Sequence, residues 1–375
     1  MAVRGGRIDT VGKGRYGGDL PAIDLGGAAL SPGMIDLMVL GGFDMSILRD
    51  DQLEIARQYL RLGVTSIQVC TGTLHWEGLN QTAENTRNAQ RHEGTDAARV
   101  IGLYPEGPFQ DPELTGGSAR EYAIPPSAEN VQRILDELGD AVTMINVSPG
   151  TPGDADAARA FVEAGRVVSM AHSNAPADRV KACVDAGTSV LGHTWDNNSG
   201  LIGDSGVQQP TIEHVALTDD RVKWLHLISD GTHVHPIMIE LMLRCRGVET
   251  ICLVTDCNQK SGCADGPFLW DDGRDFYKKD GVCRVKATDG LAGSATLLPD
   301  DFRNFVRFTG LPPHVAIRTV THNAGVSVGL GDHIGLLAPG RCADMVMWDD
   351  KLRVRRIWRA GAELGNVSDF AEVVM

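Results

Sequence analysis

Two histidines, His172 and His193, each close an apolar run in the stretch Gly165 to Asn198, which reads GRVVSMAHSNAPADRVKACVDAGTSVLGHTWDNN. An amphipathic segment separates the runs, so the stretch reads as strand, helix, strand, with an imidazole at the end of each strand. Parallel strands joined by a crossover helix lie side by side, and side chains at their C-terminal ends converge on one site. The two imidazoles can therefore share one ligand. A lone histidine at a strand end is more often a hydrogen-bonded structural residue; a pair on consecutive strands points to chemistry.

Three more polar residues end apolar runs: Glu106 in YPEGPF, His233 in SDGTHVHP and Asp256 in LVTDCN. Two imidazoles and a carboxylate suit Zn²⁺ or a similar divalent ion. Three protein ligands leave one coordination position open, which marks a catalytic centre rather than a structural one. Asp256 then has a task, because a carboxylate beside such an ion can take a proton from attacking water and hand it to a departing amine. Alone, an aspartate there would more often cap the next helix or turn. His235 would face away from His233 on an extended segment and reads as structural. Cys257 reads as a small buried thiol, since no base is identifiable beside it.

Positioning these groups requires a frame that aligns several strand ends. Apolar strand-like runs alternate with amphipathic helices, the signature of repeated βα units around a parallel sheet. Eight candidate strands are legible: Gly33 to Leu40, Ser66 to Cys70, Val100 to Tyr104, Val142 to Val147, Val167 to Ala171, Ser189 to Gly192, Val222 to Ile228 and Ile251 to Thr255. Helices are expected at Gln52 to Leu62, Ala128 to Leu138, Asp154 to Ala164, Asp301 to Thr309 and Pro313 to Thr321. Eight strands suit a closed (β/α)8 barrel, which commonly takes about 250 residues. Both ends of the chain are β-like and turn-rich, with strand-like runs at Ala343 to Trp348 and Leu352 to Trp358, and the two termini are expected to pair.

Composition narrows the class further. A formal net charge of −14 over 375 residues argues against nucleic acid or an anionic membrane as the main partner. Eight cysteines are scattered singly with no CxxC pair, which fits reduced thiols in a cytoplasmic protein. The N-terminal MAVRGGRIDTVGKG is not of signal-peptide type and no run of about 18 apolar residues occurs, so a soluble, non-exported protein is expected.

Seven segments in order, EGPF, AHSNA, GHTWDN, SDGTHVHP, VTD, LAGSA and IGLLAPGRCADMV, resemble the N-acetylglucosamine-6-phosphate deacetylase family of the amidohydrolase superfamily. The resemblance runs from SPGMIDL at 31 to 37 to the final strands. It implies an α/β fold, a (β/α)8 TIM-type barrel at 33–332 with a small β-sandwich domain built from 1–32 and 333–375. It also implies Glu106, His172 and His193 as ligands of one divalent ion, Asp256 as the acid/base group and His233 as a substrate contact. The implied activity is removal of an N-acetyl group from an amino sugar by a homodimer. Ser118, Trp195 and Asn197 are further candidate substrate contacts.

The departures from that family bear on the substrate. Where many amidohydrolases have His-x-His, this chain has Met38-Val39-Leu40, so a single ion is implied. A family histidine is replaced in Gly116-Gly117-Ser118, and Asn-Ala-Met becomes Asp196-Asn197-Asn198. The loop NNSGLIGDSG from Asn197 to Gly206 holds neither lysine nor arginine where the family offers an arginine to a sugar phosphate. An unphosphorylated N-acyl amino sugar or pseudo-sugar of a biosynthetic pathway is therefore an alternative substrate. A barrel that has lost catalysis and only binds a ligand is the other alternative.

Overall fold

The computed structural model describes residues 1–14, 21–196, 201–202 and 206–365. Asn197, and most of the 197–206 loop, lies outside the described residues. Eight strands alternate with helices along the chain: β1 (Met34–Val39), β2 (Val64–Thr71), β3 (Arg99–Pro105), β4 (Met144–Asn146), β5 (Val167–Met170), β6 (Val190–Leu191), β7 (Trp224–Leu227) and β8 (Ile251–Leu253). Each expected strand has a counterpart, and the ends differ by two residues or fewer. β1 and β2 are buried along their whole length, as parallel strands covered on both faces are; β1 is apolar except for Asp36, while β2 encloses Thr65, Ser66, Gln68 and Thr71 among its apolar residues.

β1, β2 and β3 pair in parallel, as do β4 through β8 in chain order. Two isolated parallel bridges join the sheets, Leu103 to Val142 at one seam and Val39 to Cys257 at the other. Each seam carries a backbone hydrogen bond, Thr143 N–H to the Leu103 carbonyl at 2.9 Å and Leu40 N–H to the Cys257 carbonyl at 3.1 Å. The C-terminal ends of all eight strands consequently face the same way.

The helices pack outside this frame. α1 (Gln52–Arg61) is capped by Asp51 and turns Ile55, Ala56, Tyr59 and Leu60 inward, while Ser127 caps α3 (Ala128–Glu137), with α2 (Trp76–Gln90) between them. The sequence places α4 (Asp154–Glu163) closely, whereas α8 (Leu298–Thr309) starts three residues before the expected Asp301. Pro299 falls in its first turn, where a missing N–H has no partner to lose. The helix expected over Pro313 to Thr321 divides into Pro313–Ala316 and a tighter turn at Ile317–Val320. α5 (Ala177–Asp185), α6 (Ile212–Thr218) and α7 (Pro236–Arg246) complete the alternation.

Two antiparallel sheets of three or more strands accompany the βα core. Gly266–Leu269, Asp275–Lys279 and Val282–Val285 form a three-stranded sheet between β8 and α8, unanticipated from the sequence. The second unites the two ends of the chain, as expected: Ala29–Pro32 pairs with Met345–Trp348, which pairs with Val354–Arg359, and that with Ala362–Glu363.

A buried carboxylate fastens the terminal sheet to the core. Asp344 accepts from Arg359 Nη1 and Arg99 Nη1, both at 3.1 Å, and from Ala360 N–H at 2.7 Å. Side chains of Asp344 and Arg359 are only 4% and 9% exposed, so neither charge has solvent to fall back on. Removing one partner of a buried pair leaves the other uncompensated, at a cost of about 3–5 kcal/mol. Asp344→Ala is therefore expected to lower unfolding free energy by that amount in urea titrations; a loss under about 1 kcal/mol would show that water replaces the carboxylate.

Candidate active site

Glu106 directly follows β3, and its N–H donates to the Thr71 carbonyl at 2.9 Å, extending the strand ladder to the ligand itself. His172 and His193 each stand two residues beyond the ends of β5 and β6. Asp256 stands three beyond β8. His172 and Asp256 have φ of 52° and 48°, in the left-handed region that ordinary side chains avoid. Such strain, about 1–3 kcal/mol per residue, persists only where the surroundings enforce it. At Asp256 the enforcement is visible: its carbonyl accepts from Ser294 N–H at 2.8 Å, and a Cβ on Gly293 would come within 2.6 Å of that carbonyl.

The structure brings Glu106, His172 and His193 together, with one donor atom from each lying within 4.8 Å of the others. Glu106 Oε1 is 2.5 Å from His193 Nε2 and 3.1 Å from His172 Nε2, and the two Nε2 atoms are 3.1 Å apart. Both imidazoles have their other nitrogen committed to a backbone carbonyl. His172 Nδ1 donates to Leu114 at 2.6 Å and His193 Nδ1 to Asp196 at 3.2 Å. That tautomer turns two nitrogen lone pairs and a carboxylate oxygen toward one another in a buried space, an arrangement that repels itself unless a cation sits among them. The donor set and the carbonyl tethers fit a divalent ion of the zinc type.

Electrostatics register the same demand. Burial pushes the Glu106 carboxyl up, but the His172 and His193 charges reverse this and hold it well below the usual carboxylate range. Burial pulls His193 down, yet the charge of Glu106 outweighs it and carries the imidazole up to about 10. Asp256 behaves oppositely: burial, reinforced by the Glu106 charge, holds its carboxyl well above the usual range, with His193 pulling the other way.

One cleft is lined by the three donors together with Asp256, His233 and Ser118. His233 Nδ1 pairs with Asp230 Oδ2 at 2.6 Å, and burial of the ring is outweighed by this hydrogen bond, which raises its pKa. The Nε2 of His233 is buried and has no partner among the described residues. Ser118 Oγ accepts from Thr73 N–H at 3.2 Å at the cleft wall.

Trp195 departs from expectation: at φ 67° it is half-buried against the main apolar cluster and does not line the cleft. Trp270, which the sequence reading missed, lines it instead, stacked on Phe276 at 4.9 Å between centroids. It lies on the inserted antiparallel sheet, and nothing in its spacing ties it to the strand-end motifs. Asp196 also lines the cleft. Met38 is buried and Leu40 lines the cleft at the end of β1, and neither a thioether nor an alkyl group holds a hard cation. His75 and His235 cap α2 and α7, and Trp76 lies under the Arg133 guanidinium at 3.8 Å, all structural tasks.

Parallel βα units carrying a His₂-carboxylate cluster at their strand ends define a class of metal-dependent hydrolase architecture. The profile of the amidohydrolase family matches residues 81–373, and the chain belongs to that family. Within it, the chain is 31% identical over 341 residues to N-acetylgalactosamine-6-phosphate deacetylase of Escherichia coli O157:H7, covering 88% of this chain and 86% of that protein. It is 28% identical over 344 residues to N-acetylglucosamine-6-phosphate deacetylase of Vibrio furnissii, covering 91% and 84%. Among solved structures, it superposes with a TM-score of 0.85 on an Asp-to-Ala variant of the Mycobacterium smegmatis N-acetyl-D-glucosamine-6-phosphate deacetylase in complex with N-acetyl-D-glucosamine-6-phosphate, at 27% identity and with 96% and 93% of the two chains covered. The Thermotoga maritima deacetylase gives a TM-score of 0.86 at 25% identity, covering 97% and 94%.

A single donor cluster among the described residues predicts a single ion. Elemental analysis of the purified protein is expected to return close to one divalent ion per chain, and His172→Ala or His193→Ala to lower that stoichiometry severalfold. Two tightly held ions per wild-type chain would overturn the one-site reading.

Proposed function

We propose that this protein hydrolyses the acetamide of an N-acetylated amino sugar, releasing acetate and the free amine. The observation that carries the reading is the placement of Asp256, a buried carboxyl, in the same cleft as the Glu106, His172 and His193 cluster. In this reading residues 33–332 form a closed (β/α)8 barrel, which the bridges at both seams support. Residues 1–32 and 333–375 supply the small β-sandwich domain. Zinc is the ion best suited to two imidazoles and a carboxylate. A cytoplasmic homodimer completes the reading, and the free cysteines are in keeping with a reducing compartment.

When bound by Glu106, His172 and His193, the ion supplies Lewis-acid polarisation of the amide carbonyl and makes water more acidic. The chain's own groups do the rest. Asp256 accepts a proton from the attacking water and delivers it to the amine nitrogen as the C–N bond breaks. The Leu114 and Asp196 carbonyls keep both imidazoles in the tautomer that presents Nε2. His233, oriented by Asp230, offers Nε2 to a substrate hydroxyl. Trp270 and Ser118 give the sugar an apolar wall and a polar edge, and the aromatic face suits the C–H face of a pyranose.

Asp256→Asn should retain the ion and lose about 10²- to 10⁴-fold in kcat, the usual share of a general acid/base group. An acetate-release assay on ion-loaded protein measures this. Turnover near the wild-type rate would remove Asp256 from the mechanism, and an ion-loaded wild type that releases no acetate would restore the ligand-binding alternative.

A further inference from the structure

A third carboxylate lines the cleft, Asp196, whose Oδ2 lies 3.9 Å from His193 Nδ1. Asp196 closes a turn on His193, donating its N–H to the His193 carbonyl at 2.9 Å while its own carbonyl accepts from His193 Nδ1 at 3.2 Å. Its side chain is 13% exposed and lines the cleft beside His233 and Asp256. Its charge is felt by His193, His233 and Asp256. Among the described residues the cleft lining thus contains three carboxylates, three imidazoles and neither lysine nor arginine.

A phosphate monoester needs a cation, best an arginine whose planar fork meets two oxygens. Arg274 reaches the carbonyl of the lining residue Gly117 at 2.9 Å, but its charge is matched by Asp272 at 2.6 Å. A carboxylate only accepts hydrogen bonds, so Asp196 suits hydroxyls or an ammonium and repels a phosphate dianion.

Building on the deacetylase reading, we propose that Asp196 sets the substrate class: an N-acetylated amino sugar presenting a hydroxyl or amine where the phosphosugar deacetylases' named substrates carry phosphate. The test compares kcat/KM for acetate release from N-acetylglucosamine, N-acetylgalactosamine and their 6-phosphates, using ion-loaded wild type and Asp196→Asn, which preserves side-chain volume. Wild type is expected to favour the unphosphorylated sugars by tenfold or more. The variant is expected to shift the ratio at least tenfold toward the phosphosugars, and a ratio taken within one protein cancels losses from folding or ion loading. A tenfold wild-type preference for phosphosugars, or a ratio unmoved by Asp196→Asn, overturns the proposal. Acetate released from none of the four would sink the deacetylase reading separately, and charge preference would then be read by calorimetry with glucosamine and glucosamine-6-phosphate. Tighter binding of the phosphosugar by wild type overturns the proposal; weaker binding that Asp196→Asn relieves supports it.

Discussion

The interaction on which the rest of this structure depends is the mutual repulsion of three buried electron-pair donors. Glu106 Oε1, His172 Nε2 and His193 Nε2 lie within 3.1 Å of one another in pairs, in a space nearly closed to water. Donors so placed separate unless something positive lies among them, and the chain keeps them there by fixing everything behind them. Each imidazole is held from its far side by a carbonyl, and Glu106 hangs on a strand ladder. The parallel frame holds the three donors at these distances, a placement that an ion among them would favour.

The same economy explains the strained backbone. Non-glycine residues with positive φ include His172 and Asp256, both just past strand ends at the cleft. A strand that continued straight would carry the side chain away from the axis of the frame. One left-handed residue turns it inward. The strain is tolerable because the following chain is pinned, at Asp256 by Ser294 N–H and by a glycine at 293 that alone leaves room for the Asp256 carbonyl.

Legibility in the sequence followed the same division of labour. The βα alternation could be read because strands covered on both faces are largely apolar, although Val64–Thr71 also buries Thr65, Ser66, Gln68 and Thr71. The donor cluster could be read because its members end those strands. What could not be read depended on contacts between segments with no shared period. Trp270 reaches the cleft from an antiparallel insertion, Leu114 orients His172 through a backbone atom that any residue would supply, and Trp195, the aromatic next to a ligand, was claimed by the apolar core. Side-chain identity announces a donor, whereas a backbone carbonyl announces nothing.

The β1 end is tied to β8 in a different way. Met38 and Leu40 offer no donor for a hard cation, and a buried carboxyl bridges the seam. Asp36 accepts from the Thr255 hydroxyl at 2.7 Å, from Thr255 N–H at 3.2 Å and from Met38 N–H at 3.3 Å. Burial pushes its pKa up to about 6, so near neutrality the charged form is retained at some cost, offset by these three donors. The residue after Thr255 is Asp256. The proposed acid/base group is thus positioned in space from the β1–β8 seam, while its charge answers to Glu106 and His193, so the frame that places the base and the cluster that tunes it are different parts of the structure.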